Sequence, residues 1–265
     1  MTATAAALET ELYASQAMGR LIPASVASID LDEAYEIQRR VFGMRAVAVA
    51  GWKLGATNRL AQERMGLSSP VVGRLASSDI LREETEVESP SGMLYAEAEL
   101  AVVLQYDLRP RAERYDLSEI ESAIGPVYAA IELCTSRYAD DDVEAPALVA
   151  DNAFAYRLVL GRTLGFGWNP RFKSMAVTLD CSAGRSVAGS TAAVMDNPIE
   201  SVVWLANWLS DCGVGLKCGQ VIATGSCTGI TEAHPGETAR ASFGGVESAS
   251  VTIIRRDETG DLDGY

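Results

Sequence analysis

Glu97 and Glu99 lie two residues apart within LYAEAELAVVL, and Glu132 lies within VYAAIELC, so acids interrupt runs that are otherwise apolar. In an extended chain alternate side chains share a face. Tyr95, Glu97, Glu99, Ala101 and Val103 then point one way, and Leu94, Ala96, Ala98, Leu100, Val102 and Leu104 the other. The second set is core. The first begins with carboxylates and continues with Ala101 and Val103, so it is no ordinary solvent face. Adjacent carboxylates on a half-buried surface repel one another and lose hydration, which calls for a proton or a cation between them. Singly, each glutamate reads as a strand residue turned to water, because buried carboxylates are rare. Together they read as a ligand set. Carboxylates on apolar strands, with no His or Cys cluster beside them, are hard oxygen donors suited to Mg²⁺ or Mn²⁺ rather than zinc.

Lys53, in GWKLGAT, supplies the complementary charge. On its own it reads equally as a snorkelling surface lysine. Three carboxylates and a divalent ion leave a net negative charge, however, so an anionic substrate needs a further cation. His234 is the only histidine and sits in the turn-like EAHPGET, which removes most histidine-base and Ser-His-Asp schemes. The glycine runs GSCTG and FGGVES match neither a phosphate loop nor a dinucleotide fingerprint. The first could bring backbone N–H groups and the Ser226 hydroxyl close to a carboxylate.

The elements that must position these groups change character along the chain. LETELYASQAM and DLDEAYEIQRRVF read as helices; in the second, Asp30 caps, Glu33 is the capping-box partner, and Ala34, Ile37 and Val41 form an inner stripe. AVAVAGWKLGAT reads as a buried strand leading into a short helix, NRLAQERMG, closed by Gly66. From Ser68 onward short apolar runs alternate with Gly, Pro, Asp and Ser, the texture of strands: PVYAAIELC, AYRLVLG, MAVTLDC, GQVIATG, TARASF and SASVTII. One helix interrupts them, NPIESVVWLANWLSDCG, with Asn197 as cap, Pro198 at the first position, Glu200 completing a capping box and Gly213 ending it. Its expected buried stripe is Ile199, Val202, Val203, Ala206 and Leu209. The expectation is an α+β protein, with a helical N-terminal segment over 1–67 and a β-rich catalytic domain over 68–265.

At 265 residues, 48% hydrophobic and 22% charged, the chain has the composition of a soluble globular protein. Its 36 acidic against 22 basic residues, net −14, argue against nucleic acid or anionic membrane as partners. MTATAAALETELYASQ has no basic or continuously apolar leader, and the five cysteines include no CxxC. A reducing cytoplasm is the expected setting.

GWKLGATN, YAEAELAVVL, AAIELCTSR, VADNA, NPIESVVWLANWLSDCGVGLKCGQVIATGSCTG and HPGETARASFGGVESASV follow one another in an order that resembles the 2-oxopent-4-enoate hydratase and 4-oxalocrotonate decarboxylase family of the fumarylacetoacetate hydrolase superfamily. The resemblance spans nearly the whole chain. It implies a mixed β-roll-like core, and a Mg²⁺ or Mn²⁺ ion held by Glu97, Glu99 and Glu132. It places the family's catalytic lysine on Lys53 and its catalytic aspartate on Asp79, and it expects Ser226 and Arg137 to bind substrate. The family's Asp-Ser-Arg is here Thr135, Ser136 and Arg137, and YADDDVEAPAL lacks the Trp and Lys often found there; both departures bear on the substrate. The activity implied is hydration of a small 2-hydroxy-2,4-dienoate from aromatic meta-cleavage. Decarboxylation of a 2-oxo-enedioate is the alternative, C–C hydrolysis a third reading, and a non-catalytic scaffolding partner the rival of another kind. Homo-oligomers are expected, and a complex with a related decarboxylase or hydratase is the further partner the resemblance suggests.

Overall fold

A computed structural model of the protein describes residues 3–23, 29–82, 85–140, 143–182 and 184–256. Helices α1 (Ala3–Met18) and α2 (Leu31–Met44) open the chain. Asp30 caps α2 by accepting from the Glu33 N–H at 2.8 Å, and Ala34, Ile37 and Val41 are buried beneath it. Strand β1 (Gly51–Gly55) and helix α3 (Arg59–Met65) follow, the latter closed by Gly66 at a left-handed φ of 64°. Next come β2 (Val71–Leu75), β3 (Ile80–Arg82), β4 (Thr85–Glu88), β5 (Leu94–Leu104), α4 (Leu117–Ala123), β6 (Ile124–Thr135), α5 (Ala145–Ala150), β7 (Ala155–Phe166), β8 (Ala176–Cys181) and β9 (Arg185–Ser190). Helix α6 (Pro198–Asp211), β10 (Val221–Ser226), β11 (Thr231–Glu232), β12 (Thr238–Phe243) and β13 (Val246–Ile254) complete the described chain.

The strands form two sheets. The larger runs β2-β1-β10-β5-β6-β7-β3, with β11 extending the β10 side of β5, and the smaller runs β4-β13-β12-β8-β9. The larger sheet curls until β2 meets β7. Its outer face packs on the smaller sheet and α6: Leu100 and Val102 of β5 and Ile131 of β6 share one core with Leu179, Ala241, Val251, Val202 and Leu205. Each fully buried Leu or Ile in that layer contributes about 1.5–3 kcal/mol. The inner face has its own cluster, which includes Ala101, Ala130, Leu158, Leu160, Val221 and Ala223. A third cluster joins α1, α2 and α5 over Val71 and Ala153.

Three expectations change in detail. Residues 46–50 are not strand: Ala46 takes a left-handed φ of 54°, and pairing starts at Gly51. Asn197 occupies the cap position of α6, but its side chain makes no cap hydrogen bond; the Glu200 N–H donates to the Asn197 backbone carbonyl at 2.9 Å. Val203 is only partly buried, while Leu205 joins the α6 stripe. The boundary expected at 67/68 falls between α3 and β2, and β1 pairs with β2 across it in antiparallel register. No helix among the described residues is long and apolar enough to cross a membrane.

Candidate functional site in the curled sheet

Strand pairing brings the distant acids together. β5 and β6 run antiparallel with Glu97 opposite Glu132 and Tyr95 opposite Cys134. On the other side of β5, β10 bulges between Ala223 and Ser226, which sets Ser226 opposite Glu99. Lys53 on β1 stands beside Ala223 of β10 and Gly73 of β2. By alternation Lys53, Glu97, Glu99, Glu132 and Cys134 share the inner face with Ala101 and Ala130. The acids on β5 are therefore followed by Ala101 and Val103 because all of them line the inside of a curl.

Two glycines make the space. A Cβ on Gly73 would lie 2.6 Å from the Asn152 carbonyl oxygen and 2.9 Å from Lys53 Cγ, so the lysine stem crosses where a side chain would stand. Gly225, at φ 119°, would collide with the Thr57 side chain, and in its bulged conformation its N–H donates to Glu99 Oε2 at 2.9 Å. The GSCTG run thus does bring a backbone N–H to a carboxylate, that of Glu99.

Lys53 is 3% exposed and donates from Nζ to the Ala153 carbonyl at 2.9 Å, with Glu132 Oε1 at 3.3 Å and Cys134 Sγ at 3.9 Å. The Cys134 thiol faces Glu97 Oε2 at 3.6 Å. Glu132 is 1% exposed and neither oxygen accepts a hydrogen bond, although Oε1 is ion-paired with the Lys53 ammonium. Glu99 Oε1 is likewise buried without a partner. Burial pushes Glu132 up to about 7, with Lys53 opposing the rise and Glu97 adding to it. Burial, then the charges of Glu132 and Glu97, hold Glu99 well above the usual carboxylate range. Cys134 is raised by burial first and by Glu132 next. For Lys53 burial alone would depress proton affinity; Cys134, Glu132, Glu97 and Glu99 around it outweigh that and keep it a cation.

Among the described residues, one oxygen each from Glu97 and Glu132 and the sulfur of Cys134 lie within 4.8 Å of one another, close enough to share an ion, with Glu99 on the same face. No His or Cys cluster stands beside the glutamates among the described residues, but one cysteine, unforeseen from the sequence, does. Cys134 follows Glu132 by two residues, the same spacing that joins Glu97 to Glu99, but a cysteine in an apolar run reads as a small hydrophobe. Also unforeseen is the run Asn152, Ala153 and Phe154, all at left-handed φ (55°, 52° and 59°), which aims the Ala153 carbonyl at Lys53.

Ser226 stands at the bulge, partly exposed, its hydroxyl donating to the Gly229 carbonyl at 3.2 Å. Asp79 and Arg137 lie elsewhere. Both line a cavity of about 440 Å³, with Arg45, Arg157 and Arg256, that Lys53 and the three glutamates do not line. Asp79 accepts from Arg45 at 2.7 and 2.8 Å and from the Ala76 N–H at 2.8 Å, with Arg157 at 3.6 Å. Arg137 donates to the Thr135 and Ala155 carbonyls and pairs with buried Asp151 at 3.4 Å, which burial pushes up to about 7. Asp141 and Asp142 of YADDDVEAPAL lie outside the described residues. His234 sits between β11 and β12, partly exposed, 3.6 Å from Glu232.

No family model matches the chain. It is 30% identical over 258 residues to a 2-keto-4-pentenoate hydratase of Burkholderia vietnamiensis, an alignment covering 94% of this chain and 97% of the relative. The 4-oxalocrotonate decarboxylase of Pseudomonas putida G7, solved with magnesium and adipate, superposes with a TM-score of 0.83 at 26% identity, covering 94% and 97% of the two chains. The fumarylpyruvate hydrolase of Pseudomonas aeruginosa shares the fold at a TM-score of 0.58 and 14% identity, over 79% of this chain and 91% of that one. With near full-length agreement in sequence, and a curled sheet that groups the acids read from the sequence, this chain belongs to the 2-keto-4-pentenoate hydratase and 4-oxalocrotonate decarboxylase family.

Proposed function

We propose that the inner face of the curl is the catalytic centre of a hydratase that adds water to a 2-hydroxy-2,4-dienoate to give a 4-hydroxy-2-oxo acid. The observation that carries this reading is Glu132, buried between Glu97 and Lys53 with neither oxygen accepting a hydrogen bond and only the Lys53 ammonium paired to Oε1, in a chain related to hydratases. An unsatisfied buried polar atom costs about 1–3 kcal/mol, so a fold that keeps several in one place keeps them for a ligand. Hard oxygen donors and a surplus of negative charge fit Mg²⁺ or Mn²⁺, which Glu97, Glu99 and Glu132 would hold; magnesium is present in the related decarboxylase. Bound there, the ion supplies Lewis-acid stabilisation of the charge that develops on the substrate C2 oxygen.

The side chains supply the rest. Lys53, a fixed cation on the inner face, balances the substrate carboxylate, and the proton held at its Nζ is the one available to a substrate carbon during ketonisation. Ser226, at the edge of the chamber, offers its hydroxyl to the same carboxylate. Apolar Ala101, Ala130 and Ala223 exclude water behind the acids and leave room for a short carbon chain. Asp79, the catalytic aspartate that the resemblance implies, would help deliver water to C4, which requires that it first leave Arg45. Assembly into homo-oligomers is part of the same proposal, and light scattering measures it.

The decarboxylase reading is favoured by the superposition on the 4-oxalocrotonate enzyme, and loss of CO₂ from a 2-oxo-enedioate needs the same electron sink at C2–O. Purified protein with Mg²⁺ or Mn²⁺ separates the two. Loss of dienoate absorbance without gas is expected for the hydratase; CO₂ release from 4-oxalocrotonate with no hydration would replace that reading with the decarboxylase. Inactivity on both, with and without metal, removes both.

A further inference from the structure

Cys134 has no role in the chemistry above, yet its sulfur lies inside the donor cluster. Sγ is 3.6 Å from Glu97 Oε2 and 3.9 Å from Lys53 Nζ, and it falls with Glu97 and Glu132 within the 4.8 Å that a shared ion spans. It does not stand alone there: Glu132, 1% exposed and a member of the same cluster, accepts no hydrogen bond at either oxygen, and its Oε2 has no ion pair either. We propose that Cys134 is an additional donor of this metal centre, which makes the centre a mixed oxygen–sulfur site able to take a thiophilic divalent ion such as Cd²⁺, Zn²⁺ or Co²⁺ in addition to a hard one. The inference rests on the metal-centre reading and extends it to ligand class and selectivity.

The chemistry follows from hardness. Mg²⁺ and Mn²⁺ gain little from sulfur and are served by the carboxylates, with the thiol left protonated beside Glu97. A softer ion gains an Sγ–metal bond; the S–H bond breaks, its proton leaves to water, and no electron changes hands. Lys53 faces the thiolate as it faces Glu132, so the added negative charge has a neighbouring cation. The other free cysteines lie apart from the cluster: Cys212 and Cys218 are exposed, and Cys181 and Cys227 are buried outside the group that an ion could share. The imidazole that would normally secure a soft ion is absent from the cluster, since His234 lies between β11 and β12. The thiol is therefore the one soft donor among the described residues of the cluster.

The test uses the full chain, reduced and freed of metal, with Cd²⁺ and Mn²⁺ as probes on the wild type, Cys134→Ser and Cys134→Ala. Titration with Cd²⁺ should raise a thiolate-to-cadmium charge-transfer absorption at one equivalent in the wild type. In both variants that band should be absent, with Cd²⁺ affinity lowered about 10–100-fold, the scale of losing a ligand-shell group. Mn²⁺ binding, followed by loss of its free-ion EPR signal, should change by less than about threefold. Circular dichroism verifies that each variant is folded, and either variant alone suffices. An undiminished band and affinity in a folded variant, with Mn²⁺ still bound, overturns the donor role of Cys134 and leaves the metal centre standing. If the wild type holds neither ion, the metal-centre reading falls first and this inference with it.

Discussion

The inner face of the curl and the cavity around Asp79 are both charged, yet they differ in how their polar atoms are treated. Asp79 carries a single negative charge against Arg45 and Arg157, and both its oxygens accept hydrogen bonds. The inner face sets Glu97, Glu99 and Glu132 against one lysine and leaves three of their oxygens buried without a hydrogen bond, one of them held only by the Lys53 ion pair. The first arrangement is complete and holds β3 and the turn before it against α2. The second is incomplete within the chain itself, and burial drives Glu99 and Glu132 toward protonation. A motif match alone had placed Lys53, the glutamates, Asp79 and Arg137 in one site; the degree of hydrogen-bond satisfaction divides them.

That contrast predicts opposite outcomes for two isosteric changes. Glu132→Gln should lower metal-dependent turnover by at least about 10³-fold, because a ligand is lost where the transition-state charge is stabilised. In the absence of metal the same variant should be no less stable than the wild type, since burial and Glu97 disfavour the Glu132 charge by more than its ion pair with Lys53 favours it. Steady-state rates with Mn²⁺ and urea unfolding in EDTA measure the two halves. Retained activity would dissolve the distinction between the regions.

Asp79→Asn should do the reverse. It strands Arg45 and Arg157 and should cost ~2–3 kcal/mol in urea unfolding, below the ~3–5 kcal/mol of a fully buried pair because the Arg45 side chain is 27% exposed. On the satisfied-cluster reading kcat falls less than tenfold. A loss of kcat comparable with that of Glu132→Gln, at unchanged stability, would instead show Asp79 swinging into the reaction and would join the two regions again.

The pH dependence sharpens the same comparison. A carboxyl whose folded-state affinity for protons is raised contributes stability below its unfolded value of about 4.5, and this stability is lost as pH rises through the folded value. Glu132 sits at about 7, and Glu99 is raised as well. In EDTA the melting temperature should therefore fall between pH 5.5 and 8.5, with Asp151, also near 7, contributing in the same direction. Mn²⁺ must displace protons from the glutamates, so its stabilising effect should grow over that interval, reaching about 2.7 kcal/mol at a hundredfold excess over Kd. A metal-induced shift that is constant with pH would place the ion away from Glu99 and Glu132.

Much of this was legible from sequence because the relevant signals are local. Period-two alternation set Glu97 and Glu99 on one face, and the apolar context of Glu132 and Lys53 marked them as unusual; strand pairing then needed only to align them. The caps at Asp30 and Gly66 were legible for the same reason. What was not legible depends on distant partners. The pairing of Asp79 with Arg45 spans 34 positions, and nothing near either residue announces it. Cys134 was hidden by its resemblance to a small apolar residue. The cap at Asn197 failed because sequence marks which residue can cap but not whether its side chain turns inward. The short strands β2, β3, β4 and β11 have too few residues for alternation to declare itself, and they are held by their neighbours in the sheets.

The left-handed run at 152–154 is the least legible feature, since Asn-Ala-Phe carries no glycine, and it offers the smallest but most specific probe. Ala153, at φ 52°, bears backbone strain of about 1 kcal/mol, and its carbonyl is the acceptor that fixes Lys53 Nζ. Ala153→Gly removes the Cβ that causes the strain while adding unfolded-state freedom, so unfolding free energy should change by less than about 1 kcal/mol. The carbonyl would then no longer be locked in one direction. If Lys53 serves as the oriented cation of the inner face, kcat should drop severalfold with Mn²⁺ affinity unchanged, because the lysine moves while the carboxylates do not. Equal loss in both would mean that the run supports the whole chamber, and no loss in either would mean that Ala101, Ala130 and the flanking strands hold Lys53 without it.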